Sequence, residues 1–229
     1  MNERIDRKAE AINNAVRSFD RTFWNDEHVR FTEPHYRLRK VAHVINGLLQ
    51  GRECDLLDVG CGPGTLSSGL PTNVHYYGID LAIHDPAPNL IEADLCEVPI
   101  RFNDMRFDIV VAQGVFEYLR DTQSRKFAEI AEILKENGRF VVTYWNFGHR
   151  KTNMYSAFSN IQPIEDFRTD LARHFKIDKF FAASHNWRHT GPNRPITRLL
   201  NMYLNTYIPF VSPRLAVEYI FICSPPTPT

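Results

Sequence analysis

The spacing of hydrophobic residues changes along the chain and divides it into three parts. Over the first fifty residues the spacing is helical. Ile5, Ala9, Ile12 and Val16 fall on one stripe. After a break at Trp24–Asn25–Asp26, the segment His35–Leu49 carries Leu38, Val41, Ala42, Ile45, Leu48 and Leu49 on one face, the mark of an amphipathic helix. Pro34 stands where helices start and Gly51 where they stop. From there the stripe gives way to short apolar runs bounded by turn residues: Leu56–Gly60, His75–Asp80, Asn89–Asp94, Phe107–Ala112 and Arg139–Tyr144. Runs of this length without alternation predict strands buried on both faces. Before the fifth run, Phe127, Ile130, Ala131, Ile133 and Leu134 predict an amphipathic helix stopped at Asn137–Gly138. Strand alternating with helix predicts a parallel sheet with right-handed crossovers.

Beyond Asn146 the pattern loosens. Ile164–Phe175 reads as a helix, and Ile177–Ala183 and Ala216–Cys223 as two further strands. Between those strands lie about 30 residues with a helical piece at Thr197–Tyr207, and a connection of that length in a compact domain tends to be functional. The tail from Pro225 is expected to fray.

Composition narrows the function. With 229 residues, 43% of them hydrophobic and 24% charged, the chain fits one ordinary globular domain. Lys plus Arg and Asp plus Glu both number 27, so no surplus of positive charge exists to neutralise a phosphate backbone, and no nucleic-acid partner is expected. Arg37, Arg39 and Lys40 cluster on a predicted helix, where such a group is expected to be a solvated face. No apolar run approaches the roughly 18 residues of a membrane span, and the charged start Met1–Glu10 is unlike a secretory signal. Cys54, Cys61, Cys96 and Cys223 show neither CxxC spacing nor a partnering His, so neither a metal nor a disulfide framework is expected, and the cytoplasm is the expected compartment.

The chemistry gathers at Asp58-Val59-Gly60-Cys61-Gly62-Pro63-Gly64-Thr65, which leaves the first strand. Glycines at such a turn let a ligand approach bare backbone at the carboxyl ends of the strands. A dinucleotide fingerprint, G-x-G-x-x-G, offers free amides to a pyrophosphate. Here the third Gly comes one residue early and Pro63 removes an amide, which suits a ligand without phosphates and disfavours a nicotinamide-dependent dehydrogenase. Asp80 closes the second strand, where a carboxylate accepts ribose hydroxyls, and this feature alone does not separate one adenosine cofactor from another. Asp94 either accepts from an adenine amino group or is a strand-end acid solvated in a loop.

In order and spacing, several segments resemble the class I S-adenosylmethionine (SAM)-dependent methyltransferases. They are the glycine turn, Gly78-Ile79-Asp80, Glu92-Ala93-Asp94-Leu95, the run Phe107 to Leu119, and Leu134-Lys135-Glu136-Asn137-Gly138-Arg139-Phe140. The likeness covers Leu56 to about Asn146. It implies a seven-stranded, doubly wound α/β sheet of Rossmann-like type whose last two strands form an antiparallel hairpin. It implies SAM as cofactor. Asp58, Gly60 and, from the fourth strand, Gln113 would serve the methionine end, Asp80 the ribose, and Asp94 and Leu95 the adenine, with Cys61, Gly62, Leu81 and Gly114 completing the cofactor-binding set. Within the family, the two prolines after Asp80 and the helix cut short by Gly69 and Pro71 depart from the usual pattern. Short early helices and Asn146-Phe147-Gly148-His149 resemble the compact MetW-type proteins linked to methionine biosynthesis, which admits an alternative as a non-catalytic, SAM-binding regulatory partner.

The expected division is a single domain, residues 1–229. Residues 1–50 form a helical cap, 51–146 a cofactor-binding half, and 147–229 an acceptor-side half with an insertion at 184–214. The expected substrate is a small molecule methylated on oxygen or nitrogen. A hydroxyl acceptor needs a base. His149, just past the fifth strand, is either that base or a cap on the strand-loop junction. Glu117, Tyr144, His185, Trp187 and His189 are the expected acceptor-side residues. A homodimer is compatible with the sequence and not specified by it.

Overall fold

The runs read as strands all pair into one sheet. The computed structural model describes residues 36–146, 162–185 and 216–226, with Ile196 and Leu199 as isolated helical positions. In chain order the elements are α1 (Tyr36–Leu49), β1 (Cys54–Val59), a 3-10 turn (Thr65–Gly69), β2 (Val74–Asp80), β3 (Leu90–Glu92) and β4 (Phe107–Ala112). Two further 3-10 turns (Phe116–Tyr118, Arg120–Thr122) lead into α2 (Gln123–Ile133), β5 (Leu134–Trp145), α3 (Ile164–His174), β6 (Lys176–His185) and β7 (Ala216–Ser224). The strand order is β3-β2-β1-β4-β5-β7-β6. The first five strands pair in parallel, and β7 enters antiparallel between β5 and β6. This is the doubly wound α/β sheet with a terminal antiparallel hairpin expected from the sequence. The order reverses between β1 and β4, which opens a crevice at their carboxyl ends, where sheets of this kind take ligands.

Alternation along the strands builds two cores. On one face Leu57, Val59, Val110, Phe140, Val142, Tyr144 and Phe221 pack against Phe127 and Ile130 of α2 and Phe167 and Leu171 of α3. On the other, Leu56, Ile109, Val111, Val141, Ile220 and Ile222 meet Val41, Ala42, Ile45 and Leu49 of α1. Each fully buried Leu, Ile or Phe contributes roughly 1.5–3 kcal/mol, so burial of the apolar runs on both faces is what fixes the register. Aromatic pairs tighten the first core, with Phe116 stacked on Phe127 at 4.6 Å and Tyr144 on Phe167 at 3.8 Å.

Two boundaries differ from the sequence reading. The helix expected to run to Asn137–Gly138 ends at Ile133. Leu134 turns extended, buries its side chain and pairs with Phe107, so the β4 edge captures the chain a turn early. The run Asn89–Asp94 pairs only over Leu90–Glu92. Asp94 folds back to accept the Cys96 amide at 2.8 Å, and this local turn competes with the ladder. The stripe Ile5–Val16 and the piece Thr197–Tyr207, apart from Leu199, lie outside the described residues.

Candidate active site

Backbone geometry at the end of β1 decides what the glycine turn can hold. Gly60, Gly62 and Gly64 all have positive φ, at 75°, 52° and 73°. The amides of Gly60 and Cys61 donate to the Ile79 carbonyl at 2.8 and 3.3 Å, and that of Gly64 donates to Cys61 at 3.0 Å. The Gly62 amide donates to Oδ2 of Asp80 at 2.7 Å. Pro63 has no amide to give. Every N–H from Gly60 to Gly64 is therefore spent inside the protein, and no nest remains for a pyrophosphate.

The same bonds fix the acid that ends β2. Asp80 Oδ2 is held by Gly62, and Oδ1 accepts from the Ala82 amide at 3.1 Å. Each carboxylate oxygen has a second acceptor site, so the anchored group can still take hydroxyl hydrogens. Burial pushes its pKa up, and the hydrogen bonds from Gly62, Ala82 and Leu81 oppose that.

Asp58 sits one strand over, 4% exposed. The Tyr76 hydroxyl donates to its Oδ2 at 2.7 Å. Burial raises the Asp58 pKa to about 7, the Tyr76 bond lowers it, and the charge of Asp80 raises it further. Two carboxylates thus flank the turn, one anchored by backbone amides with acceptor sites left over and one whose pKa burial pushes up to about 7. An adenosyl amino acid carries a ribose diol and an ammonium group, and the donor set fits it. Cys61 packs its sulfur over Gly78 and is 7% exposed, so only its backbone borders the turn. Leu81 is half-buried beside Asp80.

Across the crevice, the end of β4 presses against the turn. A Cβ on Gly60 would stand 2.8 Å from Val115, so only glycine allows the β1 and β4 turns to touch. Gln113 is half-buried there, and the Gly114 amide donates to Thr143 Oγ1 at 3.0 Å. On the β3 side, Leu95 is buried in the core and Asp94 is exposed, shaping its own turn.

The acceptor-side residues divide. Glu117 is 3% exposed. Its Oε1 accepts from the Trp145 amide at 3.0 Å, and its Oε2 is buried without a hydrogen-bond partner. Burial raises its pKa to about 7, and the nearby charge of Glu218 adds to the shift. Tyr144 is wholly buried, stacked on Phe167, and its hydroxyl accepts from the Gln162 amide at 3.0 Å. These two are built into the protein beneath the β4 and β5 ends. His185 pairs by its backbone with Ala216 at the end of β6. His149, Trp187 and His189 lie outside the described residues. No group of His, Cys, Asp and Glu suited to a metal occurs among the described residues, and no helix among them is long and apolar enough to cross a membrane.

Sequence reasoning missed the inward turn of α1. Arg37 and Lys40 were expected on a solvated face. Instead Arg37 forms an ion pair with Glu218 of β7 at 3.0 Å, and Lys40 Nζ donates to the carbonyls of Ala182 and Ala183. Burial lowers the Lys40 pKa. Arg39 alone of the three is exposed. Tyr76 was likewise read only as strand filling. Periodicity marks which face of a helix is apolar, and it carries no signal for a cation whose partner lies 181 residues away.

Comparisons with known proteins agree with this fold. A family model described as "Methyltransferase domain" matches residues 34–186, more than half of the chain. No curated protein sequence matches it. Among solved structures, the plantazolicin methyltransferase BpumL, in complex with a monoazolic desmethylPZN analog and S-adenosylhomocysteine (SAH), is 13% identical. Its TM-score is 0.60, and the match covers 99% of each chain. The 1,6-didemethyltoxoflavin-N1-methyltransferase of Burkholderia thailandensis, with bound 1,6-didemethyltoxoflavin and SAH, is 15% identical with a TM-score of 0.59. That match covers 96% of this chain and 89% of the other. A TehB-like SAM-dependent methyltransferase from Corynebacterium glutamicum is 17% identical, with a TM-score of 0.51 over 95% of this chain and 99% of its own. At such identities the shared feature is the fold. The narrower likeness to MetW-type proteins has no counterpart among these relatives.

Proposed function

This chain belongs to the class I SAM-dependent methyltransferases, and from that premise we propose that it methylates a small organic molecule on oxygen or nitrogen. SAM is its cofactor. The observation that carries the reading is the closed set of turn amides beside two differently held carboxylates. In this reading the ionised Asp58 meets the ammonium of the methionine end, which Gly60, Cys61, Gly62, Gln113 and Gly114 border. Asp80 accepts the ribose hydroxyls beside Leu81, and Asp94 and Leu95 lie along the adenine.

Bound SAM supplies a methyl group already activated on a sulfonium. The protein's task is then alignment, which supplies up to roughly 7–11 kcal/mol of barrier reduction. Glu117 and Tyr144 act from beneath, fixing the backbone of Trp145 and Gln162 on the acceptor side. His149 is assigned as the base that takes a hydroxyl proton, and His185, Trp187 and His189 as acceptor-side residues. A small acceptor is supported by the zero net charge and by the small-molecule acceptor work of two relatives, the didemethyltoxoflavin enzyme and the plantazolicin enzyme.

Incubating the protein with methyl-labelled SAM and cell extract tests the proposal. Label is expected in the small-molecule fraction. Label confined to RNA or protein would overturn it.

A further inference from the structure

Lys126 is a buried charge that the proposed reaction does not use. It stands on α2 and is 0% exposed, and lysine is almost never buried so fully unless it is paired. Its Nζ donates to Oε2 of Glu129 and to the Val98 carbonyl, each at 2.7 Å. The same Oε2 accepts from the Ile100 amide at 2.9 Å. One position earlier on α2, Arg125 donates to the Cys96 carbonyl at 3.2 Å and pairs with Oε1 of Glu129 at 3.4 Å. Three neighbouring side chains of α2 therefore grip Cys96, Val98 and Ile100, in the segment that leaves β3.

That segment has no ladder to hold it. β3 ends at Glu92, and Pro99 offers no amide. Asp94 supplies the local bonds. Its carbonyl accepts from the Glu97 and Val98 amides at 3.0 and 2.9 Å, and its Oδ1 accepts from the Cys96 amide at 2.8 Å. Just upstream, the Ala93 amide donates to the Asp80 carbonyl at 2.7 Å. Asp94 thus lies between a tie to β2 and a clamp to α2, and the placing of its carboxylate depends on both.

A buried ion pair is poor evidence for stability, because apolar residues of similar volume often do as well. At position 126 a methionine would fill much the same space. What it would lose is the bond to the Val98 carbonyl, and with it the grip on the segment.

We propose that Lys126, with Glu129 and Arg125, is a positioning residue for the adenine end of the cofactor, holding residues 94–100 so that Asp94 accepts from the adenine amino group. The proposal rests on the SAM reading and its assignment of Asp94, and its test tells the failures apart. Isothermal titration of the full chain compares SAH with its purine-riboside analogue, which lacks the 6-amino group. The parent is expected to prefer SAH by about tenfold or more, the worth of one hydrogen bond to a charged group. Lys126→Met is expected to bring that preference within about twofold, chiefly by weakening SAH. A mere strut would lower the melting temperature, or weaken both ligands by one factor, and leave the preference intact; that result overturns the proposal. Should Lys126→Met fail to fold, Arg125→Ala, at a side chain 57% exposed, is expected to reduce the preference several-fold, and an unchanged preference overturns the proposal in the same way. A parent that binds both ligands equally removes the Asp94 assignment and the proposal with it. A parent that binds neither overturns the SAM reading itself.

Discussion

Tyr76 and Asp58 lie on neighbouring strands, two residues apart in register, and the tyrosine hydroxyl donates to the Asp58 carboxylate at 2.7 Å. The bond sets when the acid ionises. Burial holds the Asp58 pKa at about 7, and the Tyr76 bond keeps it from rising higher. An ammonium prefers the ionised acid, so affinity for SAH is expected to strengthen as pH rises through about 7. Tyr76→Phe removes the lowering influence and should move that midpoint to higher pH. Titration calorimetry across the range checks both, and a flat profile would contradict the role of Asp58.

Asp80 ties the turn through the Gly62 amide, and in the proposed reading the same carboxylate takes the ribose hydroxyls. Asp80→Ala loses both functions, so SAH affinity should fall by about tenfold or more. Asp80→Asn keeps one acceptor oxygen for the Gly62 amide and should fall in between. Unchanged binding in the alanine variant would remove the ribose assignment.

Glu117 is a second buried acid with a pKa raised to about 7, from an ordinary value of 4.5. The folded state then holds a proton that the unfolded chain releases. Its contribution to stability is full below about pH 4.5 and is lost as pH rises through about 7. Glu117→Gln keeps an oxygen for the Trp145 amide and cannot ionise. Relative to the parent, its melting temperature should improve between about pH 4.5 and about pH 7 and level off above. A difference independent of pH would show that the acid ionises as freely folded as unfolded.

Gly60→Ala combines a positive φ with a Cβ 2.8 Å from Val115. The strain is expected to cost about 1–3 kcal/mol, read by urea denaturation, and to part the β1 and β4 turns. Adding Val115→Ala removes the Cγ contacts and keeps the Cβ contact at 2.8 Å, so it should recover only part of the steric share and none of the backbone share. Full recovery would mean that φ at Gly60 is not strained by a side chain.

Much of this was legible because it is local or repetitive. Strands β1, β2, β4 and β5 bury both faces, so their apolar runs stand out, and α1 and α3 were visible as stripes to within a residue at each end. The turn and Asp80 were legible as chemistry from spacing alone. What escaped is contingent on distant partners. Leu134 left its helix because Phe107 offered a ladder position. Glu117 looked like an open acceptor-side acid, and it is buried with its carboxylate on the Trp145 amide, 28 residues away at the end of β5. Arg37 turned inward because Glu218 waits on β7. No window of a few residues contains both ends of such a pair.

The position of β7 has a consequence for how the molecule is assembled. The last of the described strands to be synthesised is an interior one, inserted between β5 and β6. Until it arrives, β5 and β6 expose ladder edges that have no neighbour, and α1 lacks the anion that orients its arginine. The sheet therefore cannot close, and the Arg37–Glu218 pair cannot form, until that last strand is in place.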